Sequence, residues 1–419
     1  MYWYQHIGNL RSYIFSDVLK RVLLYDGFKV NHVMNVTDVG HLTSDADEGE
    51  DKLEEAAKKE GKKAKDIANY YLKIFKSDFE KLNILTPNTW CKATEHIKEQ
   101  IELIKQLEKK GYTYKTADGI YFDSSKFKDY GKLAKLDIEG LQEGKRVCAI
   151  GKKNKTDFAL WKFSEKKGVR QQEWVSPWGL GFPGWHIECS AMSMKYLGKT
   201  IDIHTGGIDH IPVHHTNEIA QSEAATGKKF VNYWMHGEFL TSKGEKISKS
   251  KGGLYTIEDL EKKGYDALVY RYLTYSAHYR KQLEFSFEGL DSSKNAYERL
   301  KNICGELKDD KKVNNKSLLE FSKCINDDLD MPGAVAVLWG MLRSNSFGKY
   351  RTIKEMDKVL GLDLLQKVAA PNSVVVLAEK RLKARKDKDW KKADELRDEI
   401  KKKGYVVDDN VSSYSLKRL

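Results

Sequence analysis

Six of the eleven histidines (His186, His204, His210, His214, His215 and His236) crowd into residues 186–236, and Cys189 lies in the same window. Cys189, His214 and Glu218 are a thiol, an imidazole and a carboxylate. On a helix His214 and Glu218 stand at i and i+4, so they project from one face and can grip one ion. Val213, Ala220 and Ala224 would supply the apolar side of that helix. This donor set favours zinc over calcium or magnesium. Taken alone, the pattern is also open to a surface His–Glu hydrogen bond and a buried packing cysteine. His215 and Asn217 are expected to face elsewhere and to be structural.

Two other groups suit phosphate. His6-Ile7-Gly8-Asn9 opens a helical pattern, and a helix N-terminus offers free amides and a positive dipole end. Gly8 admits close approach and His6 can donate a hydrogen bond; capping of the helix by Asn9 is the plainer alternative. Lys246-Ile247-Ser248-Lys249-Ser250, followed by Lys251-Gly252-Gly253, is a cationic loop suited to closing over a pyrophosphate leaving group. In a chain with 73 Lys and Arg, it could equally be a solvated basic loop.

The elements that must position these groups can be read from periodicity. Leu10, Ile14, Val18 and Val22 predict a helix from about 10 to 25, ended by Gly27. Residues 28–36 read as a buried strand, which makes helix and strand the second half of a β-α-β unit. The acidic-then-basic stretch 45–66 reads as solvated loop and helix face, and helical spacing covers 63–83 and 94–110. A β-rich stretch follows over 111–185, in which 174–185 (WVSPWGLGFPGW) reads as a loop on an aromatic floor. From about 256 the pattern is helical, ending in a helix over 374–403. An α/β front half thus carries an all-helical back half.

The chain has 419 residues, 40% of them hydrophobic and 32% charged, with a net charge of +12. Mean hydropathy is −0.62, and no apolar run reaches the ~20 residues of a membrane span. The length predicts two or three domains, and the basic excess favours a polyanionic partner, nucleic acid first. Residues 371–419 hold 14 Lys and Arg against 9 Asp and Glu. Cys91, Cys148, Cys189, Cys304 and Cys324 form no CxxC pair, and no charged-then-apolar leader opens the sequence. A reducing cytoplasm and no membrane association are therefore expected.

His-Ile-Gly-Asn at a helix start and Lys-Ile-Ser-Lys-Ser beyond a second α/β half resemble the two signatures of class I aminoacyl-tRNA synthetases. Between them stand Gly184-Trp185-His-Ile-Glu-Cys189-Ser, His204-Thr-Gly-Gly-Ile-Asp209 and His214-His-Thr-Asn-Glu218-Ile-Ala-Gln. That series resembles the cysteinyl members of the class. Asn35-Val-Thr37-Asp38, Asp266-Ala-Leu268 with Ser276-Ala-His278-Tyr-Arg280, and the tail from Ala384-Arg385 to Arg397-Asp398 fit as well. The resemblance covers essentially the whole chain, in order.

It implies a Rossmann-like parallel-sheet catalytic domain over 1–255, with a connective insertion at roughly 105–185. A helical stem-contact region over 256–310 and a helical anticodon-binding region over 311–419 would follow. Zinc, one per chain, would sit on Cys189, His214 and Glu218. ATP, carrying Mg²⁺, would be held by His6, Gly8, Asn9, Lys246 and Lys249. Thr37, Trp185, His204 and Asp209 would line the amino-acid pocket. The implied reaction is ATP-dependent ligation of L-cysteine to tRNA(Cys) through a cysteinyl-adenylate, by a monomer, with catalysis by positioning and electrostatics.

The family carries a strand before its first signature, ending in Cys-Gly-Pro-Thr-Val-Tyr, whose cysteine is normally the fourth zinc ligand. This sequence begins at Met1-Tyr2, so the expectation is a three-ligand site and a polypeptide whose true start lies upstream. Asn9 stands where the signature commonly has His, Ile247 where it has Met, and Val269 where Arg often follows Asp-Ala-Leu. The competing readings are a zinc hydrolase built on Cys189, a ligase joining cysteine to an amino sugar, and an inactive synthetase-like RNA-binding protein.

Overall fold

Leu10, Ile14, Val18 and Val22 are all buried, and the helix that they predict runs Ile7–Tyr25 in the computed structural model. The structure describes residues 3–39, 52–136, 151–164, 168, 170–242, 245–246, 254–366, 372–409 and 413–418. His6, in extended backbone, is the N-cap. Its carbonyl accepts from the amides of Asn9 and Leu10 at 2.9 and 3.0 Å. Asn9 is therefore the third residue of the helix and not its cap. Gly27 closes the far end at φ +87°.

The described residues form two compact units, Met1–Leu260 with Tyr279–Glu284, and Glu261–His278 with Phe285–Leu419. In the first unit, strand Val33–Val36 pairs in parallel with Thr89–Lys92, and Ile201–Gly207 pairs in parallel with Val231–Gly237. These are two separate pairs rather than one continuous sheet. The helix Trp185–Leu197 touches Val33–Val36 and Ile201–Gly207 alike. The strand expected over 28–36 is thus only four residues long, and Phe28 is exposed. Ser16 of the first helix hydrogen-bonds Thr205, hydroxyl to hydroxyl, at 3.0 Å. Buried Arg11 donates to the Glu238, Phe239 and Lys281 carbonyls at 2.8, 2.6 and 2.6 Å. Together they tie the helix to strand Ile201–Gly207 within the histidine-rich segment and to the backbone just after it.

The β-rich stretch is a five-stranded antiparallel sheet in the order 113–115, 119–122, 158–163, 179–183, 174–176. Residues 174–183, expected as a loop, form its last hairpin, Val175 facing Leu180. Trp161 is fully buried in the core beneath, with Phe122, Phe158, Leu160 and Ile187.

The second unit is built of helices, with Arg271 at its centre. Its Nε donates to the Tyr275 hydroxyl at 2.8 Å and to the Leu360 carbonyl at 2.9 Å. The final helix expected over 374–403 is two helices, Asn372–Lys386 and Trp390–Lys402. They are broken where Lys388 takes φ +59° and Asp389 caps the next turn by accepting from the Lys392 amide. Past them the chain forms a hairpin, Tyr405–Asp409 against Tyr414–Arg418. Tyr405 and Val407 pack onto Leu377, Leu396 and Ile400. Among the described residues no helix is long and apolar enough to cross a membrane.

Candidate metal centre and active site

Cys189 sits in the middle of helix Trp185–Leu197. The helix begins against the close junction at Gly184, where a Cβ would collide with the Ala159 carbonyl oxygen. His214 belongs to a π-helical turn, Ile211–His215, that runs into the helix Thr216–Thr226 carrying Glu218. The two helices are tied by a buried network. Gln221 Nε2 donates to the His186 carbonyl and to Ser190 Oγ at 2.6 Å each, and Ser222 donates to Ser190 Oγ at 2.9 Å.

This scaffold brings the three expected ligands together. Cys189, His214 and Glu218 are buried and offer donor atoms all within 4.8 Å of one another. Glu218 has no exposed surface, and neither of its oxygens has a hydrogen-bond partner. His214 Nε2 and His204 Nε2 stand 3.6 Å from Glu218 Oε2, and His215 Nε2 stands 3.9 Å away. The expectation that His215 faces elsewhere is corrected: His215 and Glu218 stand at i and i+3, a spacing that shares one helix face as i and i+4 does. Asn217 is structural as expected, its Oδ1 accepting from the buried Tyr130 hydroxyl at 2.6 Å.

Burial sets the protonation of the group. Desolvation drives Glu218 well above the usual carboxylate range. It drives the Cys189 thiol well up too, with the Glu218 and Glu188 charges adding to the effect. His204 is pushed down to about 3 and His236 to about 4, again chiefly by burial. Without a cation, burial therefore favours the neutral forms of Glu218, Cys189, His204 and His215. A divalent cation reverses that preference, because it stabilises the carboxylate and thiolate that burial disfavours. Unpartnered carboxylate oxygens among neutral imidazoles and a thiol are a donor set that fits zinc.

Outer contacts orient the ligands. His214 Nδ1 lies 3.0 Å from His186 Nδ1, one ring donating to the other. Asn35 Nδ2 donates to Cys189 Sγ at 3.6 Å and to Thr37 Oγ1 at 3.3 Å. Sequence reasoning assigned no role to His186, and its signal was the histidine cluster itself. Trp185 lies over His214, ring centroids 4.3 Å apart, and His204 stacks on Trp234 at 4.7 Å. Asp209 is exposed in the turn after the strand bearing His204, one residue before His210, whose ring is 5.5 Å from that of His214.

Of the phosphate-type groups, the helix opening at His6 and the backbone of Lys246 lie near each other. The Ile7 amide donates to the Tyr255 carbonyl at 2.8 Å. The helix starting there touches strand Leu240–Ser242, in which Thr241 pairs with Lys246. The helix opening at His6, Gly8 and Asn9 is therefore one strand away from Lys246. Lys249, like Ser248 and Ser250, lies outside the described residues.

Residues 1–295 match the family described as tRNA synthetases class I (C) catalytic domain. Residues 371–412 match the cysteinyl-tRNA ligase anticodon binding domain. The cysteine–tRNA ligase 1 of Burkholderia lata is 51% identical over 411 residues, covering 96% of this chain and 87% of the relative. That of Treponema denticola is 43% identical over 460 residues, covering 100% and 94%. In fold, a Mycobacterium tuberculosis methionyl-tRNA synthetase in complex with methionyl-adenylate superposes with a TM-score of 0.61 at 16% identity, covering 87% of both chains. The chain belongs to the cysteine–tRNA ligase family, with a class I catalytic domain and the family's anticodon-binding domain.

Proposed function

We propose that the chain joins L-cysteine to tRNA(Cys) through a cysteinyl-adenylate and selects cysteine by a zinc–thiolate contact. The observation that carries this reading is the buried Cys189–His214–Glu218 group with its unpartnered carboxylate. These residues would hold the cation. When bound, zinc supplies a soft Lewis acid that prefers a thiolate to an alcohol, a distinction that shape alone makes poorly for side chains differing by one atom.

The chain's own groups do the rest by position. His186 would accept the Nδ1 proton of His214 and keep Nε2 forward. Trp185, Thr37, His204 and Asp209 would line the amino-acid pocket. The cysteine carboxylate attacks the ATP α-phosphorus, and the bond to the bridging oxygen breaks to release pyrophosphate. His6, Gly8 and Asn9 at the helix opening, with Lys246 and Lys249, would stabilise the phosphates of the Mg²⁺-nucleotide. The terminal ribose hydroxyl of the tRNA then displaces AMP and takes the acyl group. Residues 1–255 would form the catalytic domain, with roughly 105–185 its insertion. Residues 256–310 would contact the tRNA stem, and 311–419 the anticodon end. The unpaired Cys91, Cys189, Cys304 and Cys324 support a reducing, cytoplasmic setting.

The test is ATP–pyrophosphate exchange followed by transfer to tRNA. Expected are exchange with cysteine, little with serine, loss on zinc removal, and transfer only to tRNA(Cys). Exchange without transfer would favour the amino-sugar ligase; neither activity would favour an inactive RNA-binding protein.

A further inference from the structure

Glu218 faces more donors than one ion of the Cys189 group uses. Beside that group, His204, His215 and Glu218 form another set whose ligand atoms all lie within 4.8 Å of one another. We propose that His204, His215 and Glu218 make a second divalent-cation position, free of sulfur, sharing Glu218 with the first. The inference rests on the zinc–thiolate reading of the neighbouring position.

Three observations support it. Both Glu218 oxygens are buried without hydrogen-bond partners, so one carboxylate has lone pairs for two ions. Each set contains an imidazole held from behind. His215 Nδ1 lies 2.8 Å from His236 Nε2 just as His214 Nδ1 lies 3.0 Å from His186 Nδ1, leaving both Nε2 atoms turned to Glu218. Ligating histidines need that outer support. His204 is fixed separately, its ring stacked 4.7 Å from Trp234 at an interplanar angle of 28°.

Charge orders the two positions. A first dication meets a thiolate and a carboxylate, whereas a second meets neutral imidazoles and a carboxylate already shared. The second is therefore weaker and fills after the first. Two imidazoles and a carboxylate suit zinc, cobalt(II), nickel(II) or copper(II) rather than calcium or magnesium.

The full-length chain, stripped of metal, is titrated with cobalt(II) and followed by absorption. The first equivalent should bring the near-ultraviolet sulfur-to-cobalt charge-transfer band. The second should add visible ligand-field absorption without more of that band. His204→Asn should lose the second equivalent and keep the first. Zinc absorption spectroscopy on the unmutated chain provides a check independent of variant folding: sulfur neighbours per zinc should halve between one and two equivalents. Saturation at one equivalent carrying sulfur overturns the second position and leaves the zinc–thiolate reading standing. A second equivalent that His204→Asn retains, or that adds sulfur, also overturns it. A first equivalent without the sulfur band overturns the zinc–thiolate reading itself.

Discussion

Glu218 has no exposed surface, and among the described residues the groups at ion-pair distance are imidazoles, of which burial keeps His204 and His215 neutral. A carboxylate there is stable only when protonated or matched by a cation. Cys189→Ser should therefore lower zinc content and collapse the preference for cysteine over serine, read as the ratio of the two exchange rates. His186→Ala, which removes the partner of His214 Nδ1, should weaken zinc roughly 10–100-fold in chelator competition. His186→Gln, which keeps an acceptor there, should recover part of that loss; equal zinc affinity in both variants and the unmutated chain would refute the positioning role. His214 and Glu218 were legible at i,i+4 spacing, and Cys189 as a thiol in the same histidine-rich window. His215 was not, because only the i,i+4 spacing was weighed, whereas His215 reaches Glu218 at i,i+3 on the same helix face. Asn35 meets Cys189 from a strand 154 residues away, a contact no local pattern encodes.

The elements hold the cluster by close approach. A Cβ on Gly206 would stand 2.6 Å from His215 Cε1 and 3.0 Å from His210 Nδ1, so Gly206→Ala must displace an imidazole. The expected cost is about 1–3 kcal/mol of stability, with zinc affinity lowered in parallel; a variant matching the unmutated chain in both would show that the rings yield freely. Just before strand Val33–Val36, burial with Lys20 nearby pushes His32 down to about 4. The folded state thus prefers this imidazole neutral, while the unfolded chain protonates it near pH 6.5. That contribution is complete above pH 6.5 and is lost as pH falls toward 4, a change of about 1–3 kcal/mol. Denaturation midpoints of His32→Gln should fall less steeply than those of the unmutated chain across that window. The helices before residue 110 were legible because a buried stripe repeats every three to four residues. The strand over 28–36 was overdrawn because an extended segment becomes a strand only where a partner reaches it, here at 89–92. The terminal hairpin was missed because its strands are five residues each, and the buried alternation of Tyr405 and Val407 is too short to stand out after the helix.

At the scale of the whole molecule, amino-acid activation and tRNA capture make different physical demands. Under the proposed function, activation would use the buried cluster of the histidine-rich segment. Holding a polyanion needs exposed cations and a flat ring on which a base can stack. Residues 371–419 carry 14 basic side chains against 9 acidic. Trp390, at the start of helix Trp390–Lys402, is 60% exposed, which packing within the unit does not account for. Lys383 and Lys391 are exposed on the same pair of helices. Trp390→Ala should raise the tRNA KM roughly 5–150-fold, the equivalent of the ~1–3 kcal/mol of a base–aromatic stack. Lys383→Glu with Lys391→Glu should raise it too, and should flatten the dependence of KM on salt by about one counterion for each phosphate no longer neutralised. Neither change should alter cysteine-dependent pyrophosphate exchange, because that step involves no tRNA. If exchange and tRNA KM moved together, the C-terminal residues would be acting through the fold. If neither moved, these exposed residues would not be tRNA contacts.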